Sequence, residues 1–215
     1  MKPLMALVAA IGACVALPSV AAAGTPVPNL VETPDSWTSC HAPVIENPFL
    51  FDGDALNYVL APSGSFEGDA PGWQFAGGAS VAASDDGFDL QSGADQQVLH
   101  LPVGGSAISP VMCVDLNMPT FRFAARRFDA AGKKLRVELV YPDADGKFRK
   151  VEDLKFDPAD GWTLTDHLDL EPERGGKVPG GRRVALRFSV DEGANASSAS
   201  GYEVDDIFVD PRARN

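Results

Sequence analysis

The sequence predicts an antiparallel β-sandwich of jelly-roll type with an extended N-terminal arm, and two observations carry this expectation. From residue 64 onward, short segments alternate apolar and polar side chains with a period of two. Between them stand turns rich in Gly, Pro and Asp, and no stretch shows the 3.6-residue period of an amphipathic helix. Many short strands with such punctuation are the pattern of two packed antiparallel sheets.

Residues 1–23 read as a secretory leader. Lys2 lies in a short n-region, an apolar run covers 4–20, and Ala21, Ala22 and Ala23 are the small residues a signal peptidase accepts, so the mature chain is expected to begin at Gly24. Ile11-Gly12-Ala13-Cys14 also resembles a lipoprotein cleavage box. A lipid anchor through Cys14 is therefore the alternative to a free secreted, extracellular protein. No other segment approaches the ~20 apolar residues of a membrane helix.

Residues 24–62 are broken by Pro26, Pro28, Pro34, Pro43, Pro48 and Pro62 and form the expected arm. Residues 63–215 form the expected sandwich domain, with strands at 73–75, 98–101, 111–114, 121–125, 135–141, 164–170, 184–188 and 204–209. Leu135, Val137, Leu139 and Tyr141 share one face. Asp145-Gly146 then turns the chain into 148–151, which makes a hairpin. The Gly- and Pro-rich run 175–181 is another turn, 193–200 is a small-residue loop, and neither an internal repeat nor a second domain is visible.

The composition is that of an ordinary globular protein, with 215 residues, 45% hydrophobic and 22% charged side chains, and a formal charge of -12. Its arginines are scattered, so there is no basic stripe for phosphates and no polybasic face for anionic lipid, which excludes nucleic acid and membrane-surface binding. Once Cys14 leaves with the leader or takes a lipid, Cys40 and Cys113 remain. In an exported chain these two are expected to pair, the alternative being two separate thiols. Closing the loop from 40 to 113 is worth roughly 4 kcal/mol in the chain-entropy model.

Enzyme signatures are missing. His41, His100 and His167 are isolated, and there is no His-Glu-x-x-His pair, zinc spacing, Gly-x-Ser-x-Gly elbow or phosphate loop. Acidic pairs such as Asp85-Asp86 and Asp205-Asp206 are too common in this chain to single out a two-carboxylate hydrolase. Gly146 and Gly161 follow Asp, but counting back from them puts Tyr141 or Phe156 where a calcium loop begins with a carboxylate, so both are turns. Phe121-Arg122-Phe123 with Arg126-Arg127 reads as a solvated strand face rather than an anion site, because Arg122 alternates outward between apolar neighbours.

Two segments at the ends of the sandwich carry a resemblance. Gly64-Ser65-Phe66-Glu67-Gly68 is followed by Gly72-Trp73, and the chain closes on Tyr202-Glu203-Val204-Asp205-Asp206-Ile207-Phe208-Val209. In their order, and in the strand count between them, these resemble the galactose-binding-like jelly-roll family, which includes many carbohydrate-binding modules. The whole chain also resembles a group of secreted bacterial proteins of unknown function. That likeness rests on Cys40, Pro48-Phe49-Leu50, Gly53-Asp54, Ser109 to Cys113, Phe121-Arg122-Phe123 and Asp210-Pro211, and it agrees with the disulfide and the fold.

The first resemblance implies a structural Ca²⁺ held by Glu67, Asp206 and backbone carbonyls, a chemistry that suits a cation taking 6–8 oxygens. The other reading of these carboxylates, that they accept loop N–H groups with no metal, stays open. Regular alternation would place Val204, Asp206 and Phe208 on one face and Asp205, Ile207 and Val209 on the other. Sugar recognition uses aromatic platforms. Trp73, Trp162 and Tyr202 are expected in the core, which leaves Trp37 in the arm and Tyr141 at a strand end as candidate ligand-binding residues. The expected function is a non-catalytic binding module for a polysaccharide. The alternatives are a structural or interaction protein that binds a secreted or envelope protein, and a glycan-acting hydrolase.

Overall fold

A computed structural model describes residues 30–31, 44–84, 90, 96–115, 118–128, 134–141, 148–157, 161–170, 182–191 and 200–210. Its strands, in chain order, are β1 (Val44–Ile45), β2 (Tyr58–Leu60), β3 (Gln74–Ala76), β4 (Ser80–Ala83), β5 (Gln97–Pro102), β6 (Ser106–Ile108), β7 (Met112–Val114), β8 (Thr120–Phe128), β9 (Leu135–Val140), β10 (Phe148–Leu154), β11 (Thr163–Leu164), β12 (Leu168–Asp169), β13 (Arg182–Val190) and β14 (Gly201–Asp210). A single 3₁₀ turn, Leu50–Asp52, lies between β1 and β2. The all-β antiparallel sandwich is as expected.

The larger sheet is built around β14. Along its whole length β14 pairs with β8, which in turn carries β11 and β12. On its other side it pairs first with β5, through Gly201–Val204, and then with β2, through Phe208 and Val209. The outer strands β4 and β1 complete this sheet. The smaller sheet runs β10-β9-β13-β6-β3, with β7 beside the first part of β13. The expected hairpin is present in it, with Phe148 opposite Val140, although the turn residues 142–147 lie outside the described residues.

Inward-facing residues meet between the sheets. Leu99, Leu101, Phe121, Phe123, Tyr202, Val204 and Val209 come from the larger sheet, and Leu135, Val137, Leu139, Val184, Leu186 and Phe188 from the smaller one. Each fully buried side chain of this size contributes roughly 1.5–3 kcal/mol. Trp73 is in this core as expected, its ring 4.8 Å from that of Phe66 and its Nε1–H donated to the Pro62 carbonyl at 3.0 Å.

Regular alternation does not hold along β14. A bulge falls between Asp205 and Phe208, where Asp206 takes a φ of 48°, so Val204, Ile207 and Val209 face the core and Phe208 does not. The bulge is held locally, since the Asp205 carboxylate accepts the Asp206 N–H at 2.8 Å. The chain leaving β2 also closes against it, with Ala61 N–H donated to Ile207 and Ile207 N–H donated to Gly64. A Cβ at residue 64 would sit 3.0 Å from both the Ala61 and Ile207 carbonyl oxygens, so this approach suits glycine.

The described part of the arm is built into the domain rather than lying beside it. β2 is a strand of the larger sheet, so the sheet begins before residue 63. Phe49, Tyr58 and Phe208 make a second, smaller apolar cluster on the outside of this sheet. Upstream, Leu30 packs on Ile108, Val111, Val140 and Ala185, and the Val31 carbonyl accepts the Val111 N–H at 2.8 Å.

Candidate binding face

The outward face of the larger sheet carries the chemistry. On β8, Phe121, Phe123 and Ala125 point inward, which sends Arg122, Ala124, Arg126 and Phe128 outward. Glu203 stands directly opposite both Arg126 and His100, and His100 stands opposite Ser80. These four residues therefore form one row across four adjacent strands. Trp162, just before β11, extends the row, with the Arg126 guanidinium 5.0 Å from the centre of its ring.

The row is cross-linked, with Arg126 and His100 each about a third exposed and Glu203 buried between them. Arg126 Nε–H is donated to Glu203 Oε2, and its Nη2 donates to Ser84 Oγ at 2.6 Å. His100 Nδ1 lies 3.8 Å from the other Glu203 oxygen. The His100 ring stacks on Phe128 at 4.6 Å and 16°. Gly201 makes that stack sterically feasible, because a Cβ there would come within 2.8 Å of the Phe128 ring and 2.0 Å of the Leu101 carbonyl oxygen. The result is a strip of hydrogen-bond donors and acceptors flanked by the faces of Trp162 and Phe128. Hydroxyl-rich rings with apolar C–H faces match such a strip.

The other half of the same face is covered by the arm. Arg122 points outward as expected, but it is not solvated. Its side chain is only 7% exposed, with Nη1 2.9 Å from Asp54, Nη2 3.5 Å from Asp52, two bonds to the Thr165 carbonyl, and its guanidinium 4.7 Å from the Phe49 ring centre. Tyr58 O–H is donated to Asp54 at 2.5 Å, and the Tyr58 oxygen lies 2.8 Å from His167 Nε2. Burial pushes the Asp54 carboxyl up. The Tyr58 hydroxyl, the Leu56 N–H, Arg122 and His167 together outweigh burial and hold it below its ordinary 3.8. Burial and then the Asp54 hydrogen bond push the Tyr58 phenol well above its ordinary range, which keeps it a proton donor.

The expected site residues fall differently. Tyr141 is no platform: its ring is fully buried in the main core and its hydroxyl donates to the Leu170 carbonyl, so no face is left for a sugar. Trp162, expected in the core, instead stands half-buried on the outer face. Tyr202 is in the core as expected. Trp37 and Cys40 lie outside the described residues, as do the leader with Cys14, His41 and Asp85-Asp86. Cys113 is buried in β7. The row Arg126, Glu203, His100 and Ser80 escaped sequence reading, since each residue looks like an ordinary surface position until the strands are in register.

Glu67 Oε1 accepts the N–H groups of both Gln96 and Gln97 at 2.8 Å, and Gly68 N–H is donated to Gln97 Oε1 at 2.7 Å, which clamps this loop to the start of β5. Asp206 is fully buried at the bulge. Among the described residues no three His, Cys, Asp or Glu side chains form a group that could hold a metal. A calcium ion beside this bulge would therefore rest on Glu67, Asp206 and backbone carbonyls.

No family model matches the sequence, and neither does any curated protein. Among solved structures, the chain is similar to the CBM22-1 xylan-binding domain of Paenibacillus barcinonensis Xyn10C, at 15% identity, covering 68% of this chain and 90% of that one, with a TM-score of 0.40. It is also similar to TmCBM61 in complex with β-1,4-galactotriose, at 17% identity, with 68% and 94% covered and a TM-score of 0.41. A third is the C-terminal family 22 carbohydrate-binding module of Clostridium thermocellum Xyn10B, at 14% identity, with 70% and 93% covered and a TM-score of 0.37. These neighbours are carbohydrate-binding modules, the class the sequence resembles. With overlaps all below 0.5, they say nothing of what this chain binds. No helix among the described residues is long and apolar enough to cross a membrane.

The Arg122 network sets the behaviour in acid. A carboxyl whose folded pKa is depressed stabilises the fold above its unfolded value, and that stability is lost as pH falls through the folded value. Thermal melting followed from pH 6 downward is expected to lose stability below about pH 3.8 in the native chain, and less steeply in Asp54→Asn. Arg122→Met leaves the Asp54 charge without its cation and is expected to cost about 3–5 kcal/mol in denaturant unfolding near neutral pH.

Proposed function

We propose that this chain is a secreted, non-catalytic module that binds a polysaccharide on the open half of the larger sheet's outer face. One observation carries the reading: Trp162, Arg126, Glu203 and His100 are aligned across the sheet, with Trp162, Arg126 and His100 partly exposed around a buried Glu203 and Phe128 flanking them. The row holds one carboxylate, Glu203, whereas glycoside hydrolysis uses two, and this supports binding over cleavage. The rival reading, a module that binds a secreted or envelope protein, has Leu50 and Phe51 in its favour, at 62% and 59% exposure.

A glycan array probed with the chain from Gly24 is expected to give saturable signal with one neutral sugar class. Trp162→Ala should lower it about tenfold, the scale of one lost stacking contact. Glu203→Gln should weaken it as well, because Arg126 loses its partner. Silence of the native protein across the array would move the assignment to a protein partner.

Calcium is proposed as a structural ion beside the β14 bulge. Support comes from the placement of Glu67 and Asp206 on segments joined by the Ile207 to Gly64 hydrogen bond. Glu67→Gln keeps an oxygen for the Gln96 and Gln97 N–H groups while removing the charge. Calcium should raise the melting temperature of the native chain and not that of the variant, and identical melting in calcium and in chelator overturns the proposal.

A disulfide between Cys40 and Cys113 is proposed to tie the arm to the sandwich, supported by the export reading of residues 1–23. Intact mass after alkylation should show two added groups only after reduction. Two groups added without reduction would rule the bridge out.

A further inference from the structure

The loop between β1 and β2 is a compact, internally bonded unit. Asn47 closes its neck, with Nδ2–H donated to the Ala55 carbonyl and backbone N–H donated to Asn57 Oδ1 at 3.3 Å. Within it Leu50 N–H is donated to Asn47, Asp52 and Asp54 N–H both to Phe49, and Gly53 N–H to Leu50. Gly53, at a φ of 81°, ends the 3₁₀ turn in the left-handed conformation that glycine adopts freely. Asp54 and Phe49 then pin the loop onto Arg122. A loop fixed in this way nonetheless holds Phe51 59% exposed, beside Asp52, which is 53% exposed, and over the same sheet face as His167, which is 39% exposed.

The position of the turn is informative. Asp52 reaches Arg122, and Arg122 lies four residues along β8 from Arg126 in the open row, about 13 Å at the rise of a strand. We propose that the arm turn extends the glycan face: Phe51 is a second stacking platform, with Asp52 and His167 as hydroxyl partners, so that one oligosaccharide is held on both halves of the sheet. This rests on the glycan reading of the open row. Continuity with that row favours a sugar over a protein partner. The exposed acids around the turn, Glu46, Asp52 and Asp166, in a chain of net charge -12, require that sugar to be neutral. Because the loop is already ordered, binding there pays little in lost chain freedom.

The test is calorimetric titration of the chain from Gly24 with β-1,4-xylotriose, xylohexaose, galactotriose and galactohexaose, comparing the native protein with Phe51→Ala and Trp162→Ala. Phe51 is exposed, so its truncation leaves the fold intact, as a melting curve checks. Phe51→Ala is expected to lose about tenfold in affinity for the hexaose that binds and nothing for the triose, while Trp162→Ala weakens both. Native affinity for both lengths in Phe51→Ala overturns the extension and leaves the glycan reading standing. Failure of the native chain to bind any of the four sugars overturns the extension, while the glycan reading itself then stands or falls with the array. If Phe51→Ala leaves sugar binding unchanged and turns a dimer into a monomer in sedimentation, the turn belongs to a contact between copies and the proposal falls.

Discussion

Every strand of the larger sheet is held by β14, directly or through one neighbour, and all ten residues of β14 are buried. That strand can serve two partners on one side only because it breaks its own alternation at Asp206. Without the bulge, a single register would run its length, and Ile207 and Val209 could not both face the core along with Val204. The Asp205 carboxylate and the turn around Gly64 hold the break in place. An acidic pair inside a buried strand thus shapes the backbone there.

Once β14 is placed, the sandwich acquires a partial third layer. Phe208, turned outward by the bulge, would expose its ring to water. Phe49 and Tyr58 from the arm cover it, with ring centres 5.1 and 6.2 Å away. The same covering removes water from Arg122, and a buried guanidinium is tolerable only when its hydrogen bonds are met. Asp54, Asp52 and the Thr165 carbonyl meet them. Apolar cover and ion pairing therefore depend on each other.

The two halves of the outer face illustrate how burial decides what a side chain is for. Arg122 and Arg126 differ by two turns of the same alternation and carry the same group. One is enclosed by an arm that supplies carboxylates, and the other is left a third exposed, between Trp162 and Glu203. The first positions chain and the second is available to a ligand. A rigid sheet with residues aligned in register is a low-entropy scaffold for such a site.

Strand positions and fold class were legible because period-two alternation and turn residues are local properties. The segments around 98–101, 135–141 and 184–188 became β5, β9 and β13 with little change at their ends. Two to four residues are too few to show a firm period: β1, β2, β4 and β6 were not legible, although the equally short β3 and β7 fell within a residue of expected segments. Trp73 reads correctly as core since it follows a turn into a strand that the opposite sheet covers. Trp162 and Tyr141 read wrongly for a common reason: whether an aromatic ring is enclosed depends on which distant segment lies over it. The Leu170 carbonyl meets the buried Tyr141 hydroxyl, whereas over Trp162, on the outer face, lies the Arg126 guanidinium. The outer-face row and the Arg122 network join residues far apart in the chain, as in Arg122 to Asp54 and Arg126 to Glu203. Pairing at such separations is set by strand register and by the bulge at Asp206, neither of which leaves a periodic mark in one chain, and so only the folded structure decided it.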